Sequence, residues 1–138
     1  MQRSVRVVAA LLAVDEAAPL RYLVQQRLAH KARGGLWEFP GGKVEEGESN
    51  EAALARECVE ELGVDVDIGG FVWSTSHAYD DLTVHLSLYR AQVRRGTPAP
   101  LGAQALRLCT PTEMLDLPFC EADKPLIEAL AAGQLDPK

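Results

Sequence analysis

Acidic side chains are concentrated in one stretch of this sequence, between Glu45 and Glu61, which holds seven of the 20 aspartates and glutamates. On a helix of about 100° per residue, Glu57, Glu60 and Glu61 project from one face. Carboxylates at this spacing, with a nearby loop carbonyl, supply the oxygen ligands that Mg²⁺ or Mn²⁺ prefers. The alternative is a solvated acidic helix face. The pattern favours a cation site, because like charges four residues apart repel unless something neutralises them.

The helix that must position these carboxylates is predicted from Ser49 to Leu62. Ser49 or Asn50 is a suitable N-cap, and Gly63 suits a left-handed C-cap. The apolar stripe opposite the carboxylates consists of Ala52, Ala55, Val59 and Leu62. We expect this stripe to pack on a sheet, while the glycine-rich loop before the helix bends back toward the acidic face.

The remaining elements predict one α/β domain over residues 1–138, with a mixed sheet and two or three helices. Strands are expected near residues 5–14, 21–27, 36–39, 64–76, 82–93 and 105–109, with a turn at 15–19 and a hairpin connection at 78–81. Thr110-Pro-Thr-Glu113 predicts a capping box and a short helix. A final helix is expected from Asp123 to about Ala132, with Gly133 as its stop.

Composition limits the classes of partner. The net charge of −6 argues against a nucleic-acid coat or an anionic membrane surface as partner. Three widely spaced cysteines predict no disulfide framework, so a reducing, cytoplasmic location is expected. The apolar run Val7–Val14 after Arg3 and Arg6 could form a signal peptide. A buried strand is favoured, because the run begins with β-branched residues and no small-residue cleavage site follows.

The acidic segment resembles the Nudix box, G-x5-E-x7-R-E-U-x-E-E-x-G-U, over 23 residues. Gly42, Glu48 and the run Arg56-Glu57-Cys58-Val59-Glu60-Glu61-Leu62-Gly63-Val64 match every polar and glycine position. Only Cys58 departs, since the pattern has a bulky aliphatic residue there; a buried cysteine is a small hydrophobe, so the departure is mild. Trp37-Glu-Phe-Pro-Gly-Gly-Lys43 and the ADKP segment are similar to the MutT-type branch.

The resemblance implies a Nudix fold, an α/β/α sandwich with a mixed β-sheet, and Mg²⁺- or Mn²⁺-dependent hydrolysis of a nucleoside diphosphate linked to another group. It implies that the Gly41 carbonyl and the three helix carboxylates bind metal, and that Arg56 pairs with Glu48. Glu57 or Glu60 is the expected general base. MutT-type members often add an acid from a late loop. Residues 101–106 contain none here, although Asp80 or Asp81 could substitute.

By the same resemblance, Arg27, Phe39 and Asp123 are expected at the nucleobase, although Asp123 could equally be a simple N-cap. Lys43 could contact phosphate or lie in solvent. We expect a nucleoside triphosphate pyrophosphohydrolase that forms the monophosphate and pyrophosphate, acting on 8-oxo-dGTP first and on CTP or a modified dCTP second. A nucleotide-binding regulator without turnover is the alternative from another class. The expected partner is a small nucleotide, and the protein is expected to be a monomer or homodimer.

Overall fold

A mixed β-sheet organises the computed structural model of the chain, which describes residues 3–14 and 19–135. The strands are β1 (Arg3–Ala13), β2 (Tyr22–Gln26), β3 (Trp37–Glu38), β4 (Gly41–Lys43), β5 (Asp65–Ala78), β6 (Leu82–Arg95) and β7 (Ala105–Cys109). The helices are α1 (Asn50–Leu62), α2 (Pro111–Met114) and α3 (Lys124–Ala131), and a 3₁₀ turn at Glu121–Asp123 precedes α3. The turn predicted at 15–19 falls largely outside the described residues.

Strand β1 lies at the centre of the sheet, parallel to β6 and antiparallel to β2 and β4. Val8, Ala10 and Leu12 pack in the core cluster that contains residues of α1. The alternating residues Ala9 and Leu11 pack in the cluster that contains residues of α2 and α3. A strand buried on both faces reads as a continuous apolar run, as this one does. The predicted strand and the predicted α/β/α sandwich with a mixed sheet are therefore confirmed.

Strand β4 corrects the prediction of a glycine-rich loop directly after the strand at 36–39. Gly41 to Lys43 instead pair with Val7 to Ala9 of β1. Hydrogen bonds from the Ala10 amide to the Pro40 carbonyl and from the Val44 amide to the Arg6 carbonyl, 2.9 and 3.0 Å long, flank this pairing. A Cβ on Gly41 would overlap the Val8 carbonyl. Glycine is therefore required here for the close approach of two backbones.

Helix α1 begins and ends where predicted. The Ser49 hydroxyl accepts from the Ala52 amide, and Gly63 adopts a φ of 70°. The predicted packing face was only partly right, because Leu62 is buried but Ala52 is exposed and Val59 is 50% exposed. The buried residues of the helix are Ala53, Leu54, Glu57, Cys58 and Leu62. In this orientation the two leucines of the helix, Leu54 and Leu62, both face the sheet. Glu57 lies on the same side of the helix and is therefore buried as well.

The elements after β7 bring the C-terminal part of the chain to the short strand β3. The Thr110–Glu113 capping box is present as predicted and starts α2. The Trp37 amide donates to the Pro118 carbonyl, and the Cys120 amide donates to the Trp37 carbonyl, both at 2.9 Å. The 3₁₀ turn that ends at Asp123 consequently lies close to the Trp37–Lys43 segment.

Cys58, Cys109 and Cys120 are all buried and none forms a disulfide. Within residues 3–14 and 19–135, no helix is both long and apolar enough to cross a membrane.

Candidate active site

One cavity of about 440 Å³ collects most of the residues that the sequence singled out. Its walls come from four strands (β1, β3, β4 and β6), from α1, from the β2–β3 connection and the β5–β6 turn, and from the 3₁₀ turn. Nine of the predicted site residues line it: Arg27, Phe39, Gly41, Lys43, Arg56, Glu57, Glu60, Glu61 and Asp123. Glu48, the tenth, lies behind Arg56 and contacts it directly. Residues separated by up to 96 positions are thus brought to one surface.

Arg56 joins the glycine-rich loop to helix α1. Its Nε donates to Glu48 Oε2 at 2.6 Å and its Nη2 donates to Glu48 Oε1 at 3.0 Å, a two-point ion pair that the resemblance implied. The same Nη2 donates to the Lys43 carbonyl at 3.0 Å. Hydrogen bonding to Arg56 lowers the pKa of Glu48 to about 2. A planar guanidinium matches a carboxylate at two points, so this pair fixes the loop in orientation as well as in distance.

The third nitrogen of Arg56 reaches into the carboxylate cluster of α1. Arg56 Nη1 donates to Glu57 Oε2 at 2.9 Å and to Glu60 Oε2 at 3.2 Å. Burial raises the pKa of Glu57, and the contact with Arg56 opposes that shift. The strain of like charges on this helix is therefore relieved in part by a neighbouring arginine, which lies beside the carboxylate face.

Two glycines leave room for two of the carboxylates. A Cβ on Gly42 would overlap the Glu57 carboxylate, and a Cβ on Gly102 would overlap Glu61 Oε2. The loop that carries Gly102 is tied to the end of α1, because the Leu101 and Gly102 amides both donate to the Glu61 carbonyl, at 3.1 and 3.3 Å. Residues 101–106 lack an acid, as the sequence shows, but no local pattern reveals that a glycine there gives the Glu61 carboxylate its space.

The cluster supplies donors that suit a hard divalent cation. Burial raises the pKa of Glu61, and the nearby charge of Glu57 raises it further. Together with the Gly41 carbonyl, the three carboxylates form an all-oxygen donor set, which is the chemistry that Mg²⁺ and Mn²⁺ favour. In the described parts of the chain, no three His, Cys, Asp or Glu side chains already surround a common point. The fit to a cation therefore lies in the donor chemistry and the mutual repulsion of these groups.

The other end of the cavity contains a buried acid. Asp123 is 5% exposed, and its side chain makes no capping hydrogen bond to α3, although it occupies the N-cap position. The simple N-cap interpretation of Asp123 is therefore wrong. Burial raises the pKa of Asp123 well above its usual range; the charge of Glu38 adds to the shift and that of Arg27 opposes it. The neutral carboxyl is the form that this environment favours.

Glu38 is a cavity-lining residue that sequence reasoning missed. Its carboxylate accepts from Arg27 Nη1 at 3.0 Å and from Gln25 Nε2 at 3.1 Å. The cross-strand register that places Gln25 beside Glu38 produces this arrangement. A polar residue between the buried Trp37 and Phe39 was the available signal, because a charged side chain in so short a strand needs a partner.

The remaining predicted residues differ in how they meet the cavity. Phe39 is 3% exposed, and its ring centroid lies 5.8 Å from that of Phe119. Only a small part of the Phe39 side chain is therefore accessible from the cavity. Lys43 is exposed at the cavity edge. Asp80 and Asp81, the suggested substitutes for a late-loop acid, are not among the described residues that line the cavity, and Asp81 binds Arg33.

Comparison with known proteins places the chain among enzymes. The family model for the NUDIX domain matches residues 9–129. The CTP pyrophosphohydrolase of Escherichia coli K12 is 39% identical over 130 residues, which cover 94% of this chain and 93% of that protein. A Mycobacterium tuberculosis H37Rv protein provisionally named 8-oxo-dGTP diphosphatase 2 is 39% identical over 116 residues, covering 79% and 78% of the two chains. A similar solved structure is the solution structure of the MutT protein, family Nudix hydrolase, from methicillin-resistant Staphylococcus aureus 252. Its sequence is 30% identical and its TM-score is 0.73, and the match covers 96% of this chain and 99% of that protein.

Proposed function

This chain belongs to the Nudix hydrolase family and to its MutT-type branch, and on that premise we propose that it hydrolyses a nucleoside triphosphate to the monophosphate and pyrophosphate with Mg²⁺ or Mn²⁺ as cofactor. One observation carries the proposal. A single cavity has the Glu57, Glu60 and Glu61 carboxylates among its walls and also contains the buried Asp123. Such a cavity offers a cation-binding region for phosphates and a separate polar group for a base.

In the proposed site, the chain's own residues bind and orient the reacting groups. The three carboxylates and the Gly41 carbonyl would hold the cation, which when bound neutralises phosphate charge and acidifies water. Arg56 holds Glu48, Glu57 and the loop carbonyl of Lys43 in one arrangement. Glu57 and Glu60, both in contact with Arg56, are our candidates for the base that takes a proton from the attacking water. Lys43 at the cavity edge is positioned to meet a phosphate oxygen.

We propose that the Asp123 carboxyl forms the hydrogen bonds that recognise the nucleobase, with Arg27 and Phe39 beside it. A neutral carboxyl donates through its hydroxyl and accepts through its carbonyl. Cytosine offers the matching pair on its Watson–Crick edge, an acceptor at N3 and a donor at the N4 amino group. The burial of Asp123 therefore supports CTP or a cytidine-type deoxynucleotide as substrate, as does the similarity to the E. coli CTP pyrophosphohydrolase along nearly the whole chain.

Oxidised guanine is the second candidate. Guanine presents two donors, N1–H and the N2 amino group, and these match an ionised carboxylate, which accepts at both oxygens. Similarity to the provisionally named 8-oxo-dGTP diphosphatase supports this substrate. The two substrates thus call for different protonation states of Asp123, so the ratio of their turnover rates is expected to shift toward the guanine nucleotide as the pH rises.

The test is pyrophosphate release from a panel of CTP, dCTP, 8-oxo-dGTP, dGTP and ATP with Mg²⁺, with the products identified by ion-exchange chromatography. We expect monophosphate and pyrophosphate in equal amounts from CTP or 8-oxo-dGTP, released roughly 10²–10³-fold more slowly by the Glu57→Gln variant. Release of inorganic phosphate alone would contradict the proposed position of cleavage. Tight nucleotide binding without any release from folded protein would favour the regulator that binds without turnover.

A further inference from the structure

A cluster of three side chains joins two loops at the cavity. Arg33 lies in the β2–β3 connection, while Tyr79 and Asp81 lie in the turn between β5 and β6. The Arg33 guanidinium carbon lies 4.3 Å from the centroid of the Tyr79 ring, and Arg33 Nη1 donates to Asp81 Oδ1 at 3.1 Å. Both Arg33 and Tyr79 line the cavity. We call this arrangement the Arg33 clamp.

The clamp lies on the Asp123 side of the cavity. The Tyr79 hydroxyl accepts from the Ala122 amide at 3.0 Å, and Ala122 immediately precedes Asp123. Tyr79 therefore links Arg33 to the 3₁₀ turn that carries the proposed base-reading acid. If Asp123 contacts the base, as proposed above, the clamp lies beside the base rather than beside the carboxylates of α1.

The backbone around Arg33 is fixed in an unusual conformation. Arg33 has a φ of 57° and is the one non-glycine residue with positive φ in the described part of the chain. The connection is held by a hydrogen bond from the Leu36 amide to the Arg33 carbonyl at 3.3 Å and another from the Gly35 amide to the Arg27 carbonyl at 3.1 Å. A left-handed backbone is unfavourable for a residue with a Cβ. It directs the arginine across the cavity to Tyr79 and Asp81.

The chemistry of the guanidinium leaves it able to bind a ligand. The guanidinium carbon lies over the Tyr79 ring in a cation–π contact, and the planar group donates hydrogen bonds from its edge. The group carries five N–H donors, and Arg33 Nη1 donates one of them to Asp81 Oδ1. The side chain is 22% exposed, so a molecule in the cavity can reach these donors.

We propose that Arg33 is a substrate-binding residue that donates a hydrogen bond from its guanidinium edge to a carbonyl oxygen of the nucleobase, with Tyr79 and Asp81 holding it in position. Cytosine and 8-oxoguanine both carry such an oxygen. The proposal rests on the proposed function and deepens it, since it adds a base contact on the wall formed by the β2–β3 connection. Arg33 thereby favours bases that present a carbonyl acceptor beside the group read by Asp123.

The experiment compares Arg33→Met with Arg94→Met. Arg94 makes a similar ion pair, with Asp67 at 3.3 Å, on β6 and outside the cavity lining, so its variant is a matched control. Arg33→Met is expected to raise KM for CTP and 8-oxo-dGTP about tenfold and to change kcat less than about twofold, because a charge-assisted contact to the unreacting base is lost. Arg94→Met should leave both constants unchanged. Arg33→Lys retains the charge without the planar edge and should give an intermediate KM.

A binding measurement separates failure of this proposal from failure of the proposed function. Calorimetry with CMP, 8-oxo-dGMP and deoxyribose 5-phosphate, all without metal, needs no turnover. Arg33→Met should weaken both nucleotides about tenfold and leave the base-free sugar phosphate unaffected. Equal weakening of the sugar phosphate would assign Arg33 to phosphate and overturn the proposal, as would unchanged Kd values for both nucleotides. If Arg33→Met does not fold, Arg33→Lys decides between the same outcomes.

Discussion

Replacement of Gly102 by alanine tests the carboxylate cluster without touching any charged group. A Cβ at this position would overlap Glu61 Oε2, and non-bonded atoms need at least 3.4 Å for ordinary contact. The loop is not free to retreat, since the Leu101 and Gly102 amides hold it to the Glu61 carbonyl. The flexible carboxylate must therefore move instead, by about 2 Å, which is as long as a whole Mg²⁺–oxygen bond.

The expected consequences for metal affinity and for stability differ. Displacing one ligand of the proposed site should weaken Mn²⁺ binding roughly ten- to a hundredfold. The free energy of unfolding should change by less than about 1 kcal/mol, because alanine restricts the unfolded chain while only the end of a flexible side chain has to shift. Gly102 is not among the residues of positive φ, so alanine is compatible with its backbone.

The assay is a Mn²⁺ titration followed by electron paramagnetic resonance of the free ion, with urea unfolding in parallel. Gly70→Ala is the matched control, since Gly70 also lacks a positive φ and lies on β5 against Arg90, outside the cavity lining. Wild-type Mn²⁺ affinity in folded Gly102→Ala protein would refute the reasoning. In a Glu61→Gln background, Gly102→Ala should cause little further loss, because both changes then act on the same ligand.

Three further predictions concern charges in the site. Glu57→Gln and Glu60→Gln should each lower kcat for pyrophosphate release by roughly 10²–10³-fold with unchanged circular dichroism; full turnover in either would remove that residue from the metal and base assignments. Asp123→Asn should have a higher Tm than the wild type at pH 8 but nearly the same Tm at pH 4. The pKa of Asp123 is raised in the folded protein, so ionisation of Asp123 at higher pH destabilises the wild type and not the variant. Arg56→Gln should be less stable than wild type at pH 6. Because the pKa of Glu48 is about 2 rather than its usual 4.5, this difference should shrink as pH falls from about 4.5 toward 2; a constant difference would contradict the pairing.

The sequence was most informative where local chemistry decides the structure. Ser49 and Gly63 bound α1, and Thr110 with Glu113 forms the capping box, because capping depends on groups only a few residues apart. The Nudix-box spacing likewise identified the helix that carries the carboxylates and the loop that approaches it. The Glu48–Arg56 pair followed from the same motif.

The sequence was less informative where distant segments compete for the same surface. The predicted packing face of α1 was partly wrong because the angular pattern gave alanines the same weight as leucines, whereas burial of Leu54 and Leu62 sets the rotation of the helix. Strand β4 was missed because two glycines have low strand propensity, and only the neighbouring β1 makes their extended pairing favourable. Glu38 and the Arg33 clamp depend on contacts between loops, which no local spacing reveals.

The pairing of β4 with β1 also determines which part of the cavity wall can unfold locally. Hydrogen bonds of the Ala10 and Val44 amides tie the Gly41–Lys43 segment into the centre of the sheet, so releasing it requires disruption of the core. Amide protons there should exchange with solvent only through global unfolding, whereas those of Lys31 and Gly35 in the β2–β3 connection should exchange through local opening. The wall of the cavity at the proposed cation site would then open only with the whole sheet, whereas the β2–β3 connection at the proposed base site would open locally.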